Sequence, residues 1–256
     1  MNLDQGELNE NKQTLLAHLV ELRSRLIKTV IMITLLFVIF YLFADNIYDF
    51  LVQPYANAVE GEEGRRLIFT ALHETFFTYI RVALFASLFV SLPFLLIQLW
   101  IFAAPGLYKN EKNIVVPYLL ATPILFILGS ALVYYLIMPF AIKFFLSFES
   151  IGGNGALPIQ LEAKVNEYLS LIMRLILAFG LCFQLPVALT LMARVELVSS
   201  QGLKKNRKYV IVGIFAIAAI LTPPDPISQI GLGIPILLLY ELSIIAVSFI
   251  EKRKNS

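Results

Sequence analysis

The sequence has few of the residue types on which water-soluble domains and enzyme sites depend. Of its 256 residues, 15% are charged, two are histidine, one is tryptophan and one is cysteine. A soluble domain usually has about a quarter of its residues charged, so this deficit points to lipid as the main solvent. The single cysteine, Cys182, excludes a disulfide framework within the chain. Because it lies in an apolar run, we interpret it as a small buried hydrophobic residue.

The scarcity of reactive groups argues against several classes of function. His18 and His73 fall on opposite sides of the membrane in the topology given below, so they cannot share a metal ion. The sequence contains no zinc motif, no nucleophile with its base and no pair of intramembrane aspartates, which argues against a membrane enzyme. The net charge of +2 gives no indication of nucleic-acid binding. We therefore expect no catalytic residue, no metal site and no cofactor.

Long apolar segments make up most of the chain, which is 59% hydrophobic with a mean hydropathy of +0.79. Only helices or closed barrels satisfy backbone groups in hydrocarbon, and the alternation typical of barrel strands is missing. The sequence therefore predicts an all-α membrane protein with one integral membrane domain, residues 1–256, and six transmembrane helices bent by internal prolines. The predicted spans are residues 26–43, 75–104, 114–140, 168–192, 209–221 and 227–250.

The distribution of lysine and arginine predicts that both termini face the cytoplasm. Fourteen of these twenty residues lie in the N-terminal segment, the second and fourth connections and the C-terminal tail, whereas four lie in the other connections. The remaining two, Arg81 and Arg174, fall within spans near their outer ends, where snorkelling explains them. The polar residues before the first span do not fit a cleavable signal peptide. The outer connections, 45–72 and 147–167, are predicted to form a cap with amphipathic segments.

The last two spans are predicted to be short. The thirteen residues of the fifth reach about 20 Å, against about 30 Å of hydrocarbon. The sixth has about fourteen residues before Glu241, and a "TPPDP" corner joins the two spans. We expect the bilayer to be thinner beside this pair.

A charged segment, "HLVELRSRL", directly precedes the first span. As a helix it presents one apolar stripe of leucines, and His18, Glu21 and Arg25 project from another face. Glu21 and Arg25 are four residues apart, so they could form a pair contributing about 0.3–0.5 kcal/mol if exposed. Two interpretations stay open at this point: an amphipathic helix with solvated charges, or a binding surface.

Four motifs together resemble the TatC family, the core receptor subunit of the twin-arginine protein translocase. They are "HLVELRSRL", "FAAPGLYKNE", "FGLCFQLPV" and "LTPPDPISQ", in family order, and the similarity runs from about residue 14 to residue 250. The resemblance implies a cupped, glove-shaped bundle in the bacterial inner membrane. It also implies binding of twin-arginine signal peptides at the cytoplasmic face. TatB- and TatA-like single-span partners and other copies of the chain would help to move folded proteins with the proton-motive force.

The resemblance also implies a set of site residues. Glu21 and Glu111 would be the acids of the signal-peptide site, and Arg23 and Phe102 match further positions of the recognition surface. Two separated carboxylates suit two guanidinium forks, which lysine ammonium groups do not reproduce.

Polar residues within and between the fourth, fifth and sixth spans are the second candidate group. Many members of the family have glutamate where this chain has Gln184, which serves either as a helix–helix hydrogen bond or as a polar spot on the concave face. Thr222 and Gln229 match a polar cluster that contacts a partner helix, and Asp225 between them either belongs to this polar group or is a turn residue that caps the sixth helix. Glu241, inside the last span, has either a functional role or a structural ion pair.

Two other functions compete with this interpretation. A polytopic secondary transporter would have two related halves with broken helices meeting at the bilayer midplane, and residues 1–128 and 129–256 show no repeat. Composition alone leaves a purely structural scaffold open.

Overall fold

The computed structural model describes the backbone of residues 4–61, 64–103, 112–150, 152, 157–222 and 226–254. Side chains are described for residues 20–61, 64–102, 116–150, 152, 157–222 and 229–252. Over these residues the fold is helical, without a named strand, which confirms the all-α prediction. Five helical segments of the described residues are long and apolar enough to cross a membrane. The helices are α1 Asp4–Leu42, α2 Ala44–Ala58, α3 Glu74–Ala103, α4 Lys112–Leu132, α5 Met138–Leu146, α6 Val165–Cys182, α7 Leu185–Arg194, α8 Ser200–Leu221 and α9 Pro226–Lys254.

The amphipathic lead-in and the first predicted span form a single helix, α1. It packs mainly against α3 and touches α2 at its end. Within its span, Val20–Leu42, only 6% of the most apolar window is buried inside the protein. Lipid or another protein must therefore cover most of the apolar surface of α1.

α2 is the amphipathic helix predicted for the cap, and it lies across α3 and α5. Leu51 and Tyr55 are buried, whereas Phe50 stays half exposed. Pro54 has no N–H to give to the carbonyl of Phe50 one turn earlier. The hydroxyl of Tyr134, from the π-helical turn Val133–Ile137 between α4 and α5, donates to that carbonyl at 2.7 Å. A proline inside the cap helix thus creates the acceptor that ties this helix to the bundle.

The two halves of the cap are joined by backbone and ionic contacts. The N–H of Ile68 donates to Ala163 at 3.0 Å, and the N–H of Val165 donates back to Ile68 at 2.9 Å. The Arg65 guanidinium donates hydrogen bonds to both carboxylate oxygens of Glu149, and its Nη1 lies 2.5 Å from Oε1. The N–H of Leu161 donates to the same carboxylate at 2.6 Å. The Arg65 guanidinium and this amide together lower the pKa of Glu149 to about 2.

The fourth predicted span is divided into α6 and α7 at Phe183 and Gln184. Pro186, at the second position of α7, has no N–H to donate to the carbonyl of Cys182, so the helix cannot continue unbroken. The sequence predicted bending by internal prolines but did not locate this break.

α8 and α9 form a hairpin whose helices extend beyond the predicted spans. α8 begins at Ser200, because the hydroxyl of Ser199 accepts from the N–H of Gly202 and so caps a charged first half. α9 continues past Glu241 to Lys254. Tyr240 fastens the pair by donating its hydroxyl to the carbonyl of Leu203 at 2.8 Å. α8 is not among the five helical segments that are apolar enough to span, since only its second half is apolar.

Replacing Glu149 by Gln should loosen the cap, because the amide cannot hold the Arg65 fork as a carboxylate does. We expect faster hydrogen exchange at the amides of Leu161 and Ile68. In the unchanged protein these two amides should be protected from exchange above about pH 4.5, and this protection should fall as the pH approaches 2. The direction follows because the pKa of Glu149 is lower in the folded state than its ordinary value of 4.5.

Glu162→Gln is the matched control. Its partner Arg66 lies 3.9 Å away and both side chains are more than half exposed, so its loss should leave exchange unchanged. Equal exchange in the two variants would show that the partly buried Arg65–Glu149 pair does not hold the cap.

Candidate functional site

The first candidate site lies where α1 crosses the last turns of α3. Arg25 donates to Glu21 Oε1 from Nε at 3.2 Å and from Nη2 at 2.5 Å, so the pair predicted from the four-residue spacing is present. Arg25 Nη1 also donates to Gln98 Oε1 at 2.6 Å. One guanidinium therefore joins the Glu21 carboxylate to a second helix. Sequence reasoning missed Gln98, although it is the only amide side chain in α3.

Arg25 and Glu21 differ in their exposure to solvent. The Arg25 side chain is 20% exposed, whereas that of Glu21 is 44% exposed. Arg23 is exposed and borders a shallow apolar depression on α1 with Leu26 and Ile27. Phe102 is half-buried one turn beyond Gln98 on α3. Glu21 is therefore an accessible carboxylate, and Arg23, two positions along the same helix, is an exposed cation.

Glu111, the second predicted acid, lies outside the described residues. In the sequence it immediately precedes Lys112, at which α4 begins. Its position relative to Glu21 therefore stays a prediction.

Gln184 lies at the break between α6 and α7 and is 4% exposed. Its Nε2 donates to the carbonyl of Thr122 on α4 at 3.0 Å. Its Oε1 is buried and makes no hydrogen bond to the residues described. The structure therefore contains the helix–helix hydrogen bond of the first interpretation, and a role toward a ligand stays a prediction.

Gln184 belongs to a close contact between α4 and α6. The hydroxyl of Ser130 donates to the carbonyl of Ile176 across this contact at 3.3 Å. A Cβ added at Gly129 would lie 2.7 Å from the carbonyl oxygen of Phe179, and one at Gly180 would lie 2.6 Å from the ring of Phe126. Small residues let the two backbones approach in the manner of membrane helix pairs.

The polar residues predicted to contact a partner helix make bonds within the α8–α9 hairpin. Thr222 is buried and donates to the carbonyl of Ala218 in its own helix at 2.9 Å. Gln229 Nε2 donates to the carbonyl of Phe215 at 3.1 Å. Glu241 Oε2 accepts from Arg207 Nη2 at 2.6 Å, and both side chains are 46% exposed. Asp225 lies outside the described residues, and in the part that is described no group of His, Cys, Asp or Glu side chains is arranged to hold a metal ion.

Comparison with known proteins decides the family. A family model described as Sec-independent protein translocase protein (TatC) matches residues 17–235. The chain belongs to the TatC family. It is 46% identical to the TatC protein of Magnetococcus marinus, with 99% of this chain and 89% of the relative covered. It is 36% identical to that of Escherichia coli K12, with coverage of 96% and 93%.

The fold agrees with a solved TatC structure. A crystal structure of the twin arginine translocase receptor TatC superimposes with a TM-score of 0.78 and 33% sequence identity, covering 91% of this chain and 98% of that chain. Membership in TatC makes this chain a core component of the Sec-independent translocase, a membrane complex whose function is protein transport. The comparisons give no support to the alternative of a polytopic secondary transporter.

The α4–α6 contact gives a stability prediction for this TatC protein. Gly129→Ala should lower the free energy of unfolding by about 1–3 kcal/mol, because the new methyl group meets backbone that cannot rotate away. Gly213→Ala is the matched control, since a Cβ there meets nothing within 4 Å. Unfolding by sodium dodecyl sulfate titration would measure both. A Gly129→Ala protein as stable as the control would contradict the close approach.

Proposed function

We propose that this chain is the translocase receptor for twin-arginine signal peptides and that the peptide binds where α1 crosses the end of α3. Glu21 and Glu111 would each accept hydrogen bonds from one of the two consecutive arginines. The observation that supports the proposal is the half-exposed Glu21 carboxylate, held in place by an arginine that is itself bonded to a second helix.

The fixed position of Glu21 favours selective binding. A carboxylate already held in one place loses less conformational freedom when a ligand binds than a freely moving side chain does. Of the three hydrogen bonds that Arg25 donates, two go to Oε1 of Glu21 and one goes to Gln98. A guanidinium from the peptide would either join Arg25 at this carboxylate or displace it. In both cases the carboxylate can accept hydrogen bonds from a planar guanidinium, whose paired N–H donors match it better than a single ammonium group does.

The neighbouring residues would complete the surface. Phe102, one turn beyond Gln98, would give the peptide an aromatic face, on which a guanidinium can also stack. Arg23, exposed on α1, would donate to carbonyl groups of an extended peptide. The shallow apolar depression bordered by Leu26 and Ile27 would accept a hydrophobic side chain that follows the arginines.

The topology and the partners extend the same proposal. The lysine and arginine distribution supports a multi-pass protein of the bacterial inner membrane with both termini in the cytoplasm, and in that topology Glu21 would face the cytoplasm. TatB- and TatA-like single-span proteins, together with other copies of this chain, would dock on the membrane-facing side of the bundle. The polar residues Thr222, Asp225, Gln229 and Glu241 would be their contacts, with Gln184 as a further polar position. The proton-motive force would drive the transport of folded cargo.

The short apolar half of α8 would help that transport. Its apolar part, residues 209–221, has thirteen residues and is about 20 Å long, which is less than the hydrocarbon thickness. A thinner bilayer beside the α8–α9 hairpin would lower the cost of moving polar cargo past lipid.

Removing the two acids tests the proposal. Glu21→Gln and Glu111→Gln should each weaken peptide recognition by roughly tenfold or more, the effect of losing one charge-assisted hydrogen bond of about 1.5–3 kcal/mol. The double variant should not export a twin-arginine reporter protein. Export would be measured in cells that lack the resident protein, after membrane fractionation has shown normal insertion.

Glu60→Gln is the control, because this exposed acid lies near the end of the cap helix, away from the α1–α3 crossing. Its export should equal that of the unchanged protein. Full export by a stably inserted double variant would rule out Glu21 and Glu111 as the groups that recognise the two arginines.

A further inference from the structure

The first half of α8 is basic, and its lysines form a triad on the exposed side of the helix. Lys204, Lys205 and Lys208 are all exposed, and the signal-peptide site and partner contacts proposed above include none of them. Lys205, Lys208 and Val212 follow one another at spacings of three and four residues, so the helix places them on one side. Val212, in the apolar half of α8, is 69% exposed. The lysine triad therefore continues the side of α8 that faces lipid.

The charge at this end of the α8–α9 hairpin is positive after its acids are counted. Residues 200–208 and 241–252 contain five lysines or arginines and two glutamates, which leaves a net charge of +3. Residues 194–196, at the neighbouring end of α7, add one charge of each sign and leave this balance unchanged. The segment therefore attracts anions.

The two acids of this region already have partners within the hairpin. The Glu241 carboxylate accepts from Arg207 at 2.6 Å. The Glu251 carboxylate accepts from the backbone N–H of Ser200 at 2.8 Å and from its hydroxyl, and it also attracts Lys204. In the part of the chain that the structure describes, the other two lysines of the triad form no ion pair. Their charges are therefore available to a ligand.

The lysines of the triad are close enough to repel one another. Lys208 lies four residues from Lys204 and three from Lys205, and like charges at these spacings on a helix destabilise it. The Lys208 ammonium lies 5.0 Å from the ring centre of Tyr209, an aromatic contact that leaves its charge in place. An anion bound between the lysines would remove this repulsion.

The position of the triad along α8 matches the head-group layer of a bilayer. The apolar half of the helix begins at Tyr209, directly after Lys208. Residues 204–208 extend it by about 7 Å, close to the thickness of one head-group layer, about 5–8 Å. Tyrosine is enriched at the boundary between head groups and hydrocarbon, and Tyr209 is 67% exposed there. The anions nearest to the triad are therefore those of lipid.

We propose that the lysine triad binds the anionic head groups of phospholipids, whose acyl chains lie against the exposed apolar side of α8. The bias of lysine and arginine toward certain connections explains why cations lie at this end of the chain. It does not explain why three of the four cations in residues 204–208 face lipid, whereas Arg207 pairs with Glu241 on α9. The net charge of +3 selects anionic lipid over lipid without net charge.

Native mass spectrometry of the full chain in detergent would test the proposal. The probes are dioleoyl phosphatidylglycerol, which is anionic, dioleoyl phosphatidylcholine, which has the same chains and a phosphate but no net charge, and inorganic phosphate. We expect the unchanged protein to retain phosphatidylglycerol about tenfold or more better than phosphatidylcholine. Replacing all three lysines of the triad by Gln should abolish this preference and leave retention of phosphatidylcholine unchanged.

A matched variant removes the same amount of charge elsewhere. Arg66→Gln, Lys143→Gln and Lys164→Gln together remove three cations that lie outside the α8–α9 hairpin, and this protein should keep the preference for phosphatidylglycerol. Replacing the triad by three arginines should also keep the preference, since the charges remain, which separates lost binding from misfolding.

Four results would overturn the proposal. The unchanged protein could retain both phospholipids equally. The glutamine variant of the triad could keep the preference as fully as the matched variant does. Inorganic phosphate could bind in a triad-dependent manner without a preference for phosphatidylglycerol, which would make the segment a site for the free ion. The triad could be needed to retain a co-expressed single-span partner but not the lipid, which would assign the segment to an acidic protein surface.

Discussion

Arg25 forms the contact on which the proposed recognition surface depends. α1 packs mainly on α3, and little of its span is buried within the protein, so a directed contact is needed to fix its polar end. The Arg25 guanidinium supplies that contact by bonding both to Glu21 on its own helix and to Gln98 on α3. The same bonds orient the carboxylate that the peptide would meet. One side chain therefore contributes both to the position of α1 on α3 and to the orientation of the Glu21 carboxylate.

The rest of the bundle forms a packed frame behind this exposed helix. Glycine and serine let α4 and α6 approach closely, and Gln184 adds a hydrogen bond at the point where α6 breaks. At the other end, the Arg65–Glu149 pair and the Tyr134–Phe50 bond hold the cap against the bundle. These contacts are internal and largely buried, whereas the polar groups at the α1–α3 crossing stay partly open. That division between a closed frame and an open surface is what a receptor requires.

Periodicity and composition predicted the elements well, because lipid allows few alternatives to apolar helices. The Glu21–Arg25 pair followed from spacing alone. Gln98 was missed because nothing in the local sequence shows which face of α3 meets α1, although a lone amide in an apolar helix was a signal. The extension of α8 back to Ser200 was missed for a related reason. It depends on contacts between the helices, such as Arg207 with Glu241, which apolar length does not reveal.

Binding of synthetic signal peptides to the purified protein would show directly whether Glu21 and Glu111 recognise the two arginines. Fluorescence anisotropy in detergent would compare an Arg-Arg peptide with its Lys-Lys counterpart, for the unchanged protein and for the variant lacking both acids. We expect the unchanged protein to prefer Arg-Arg by about tenfold or more and the variant to bind both peptides weakly and equally. A variant that keeps the full preference would show that other groups read the two arginines.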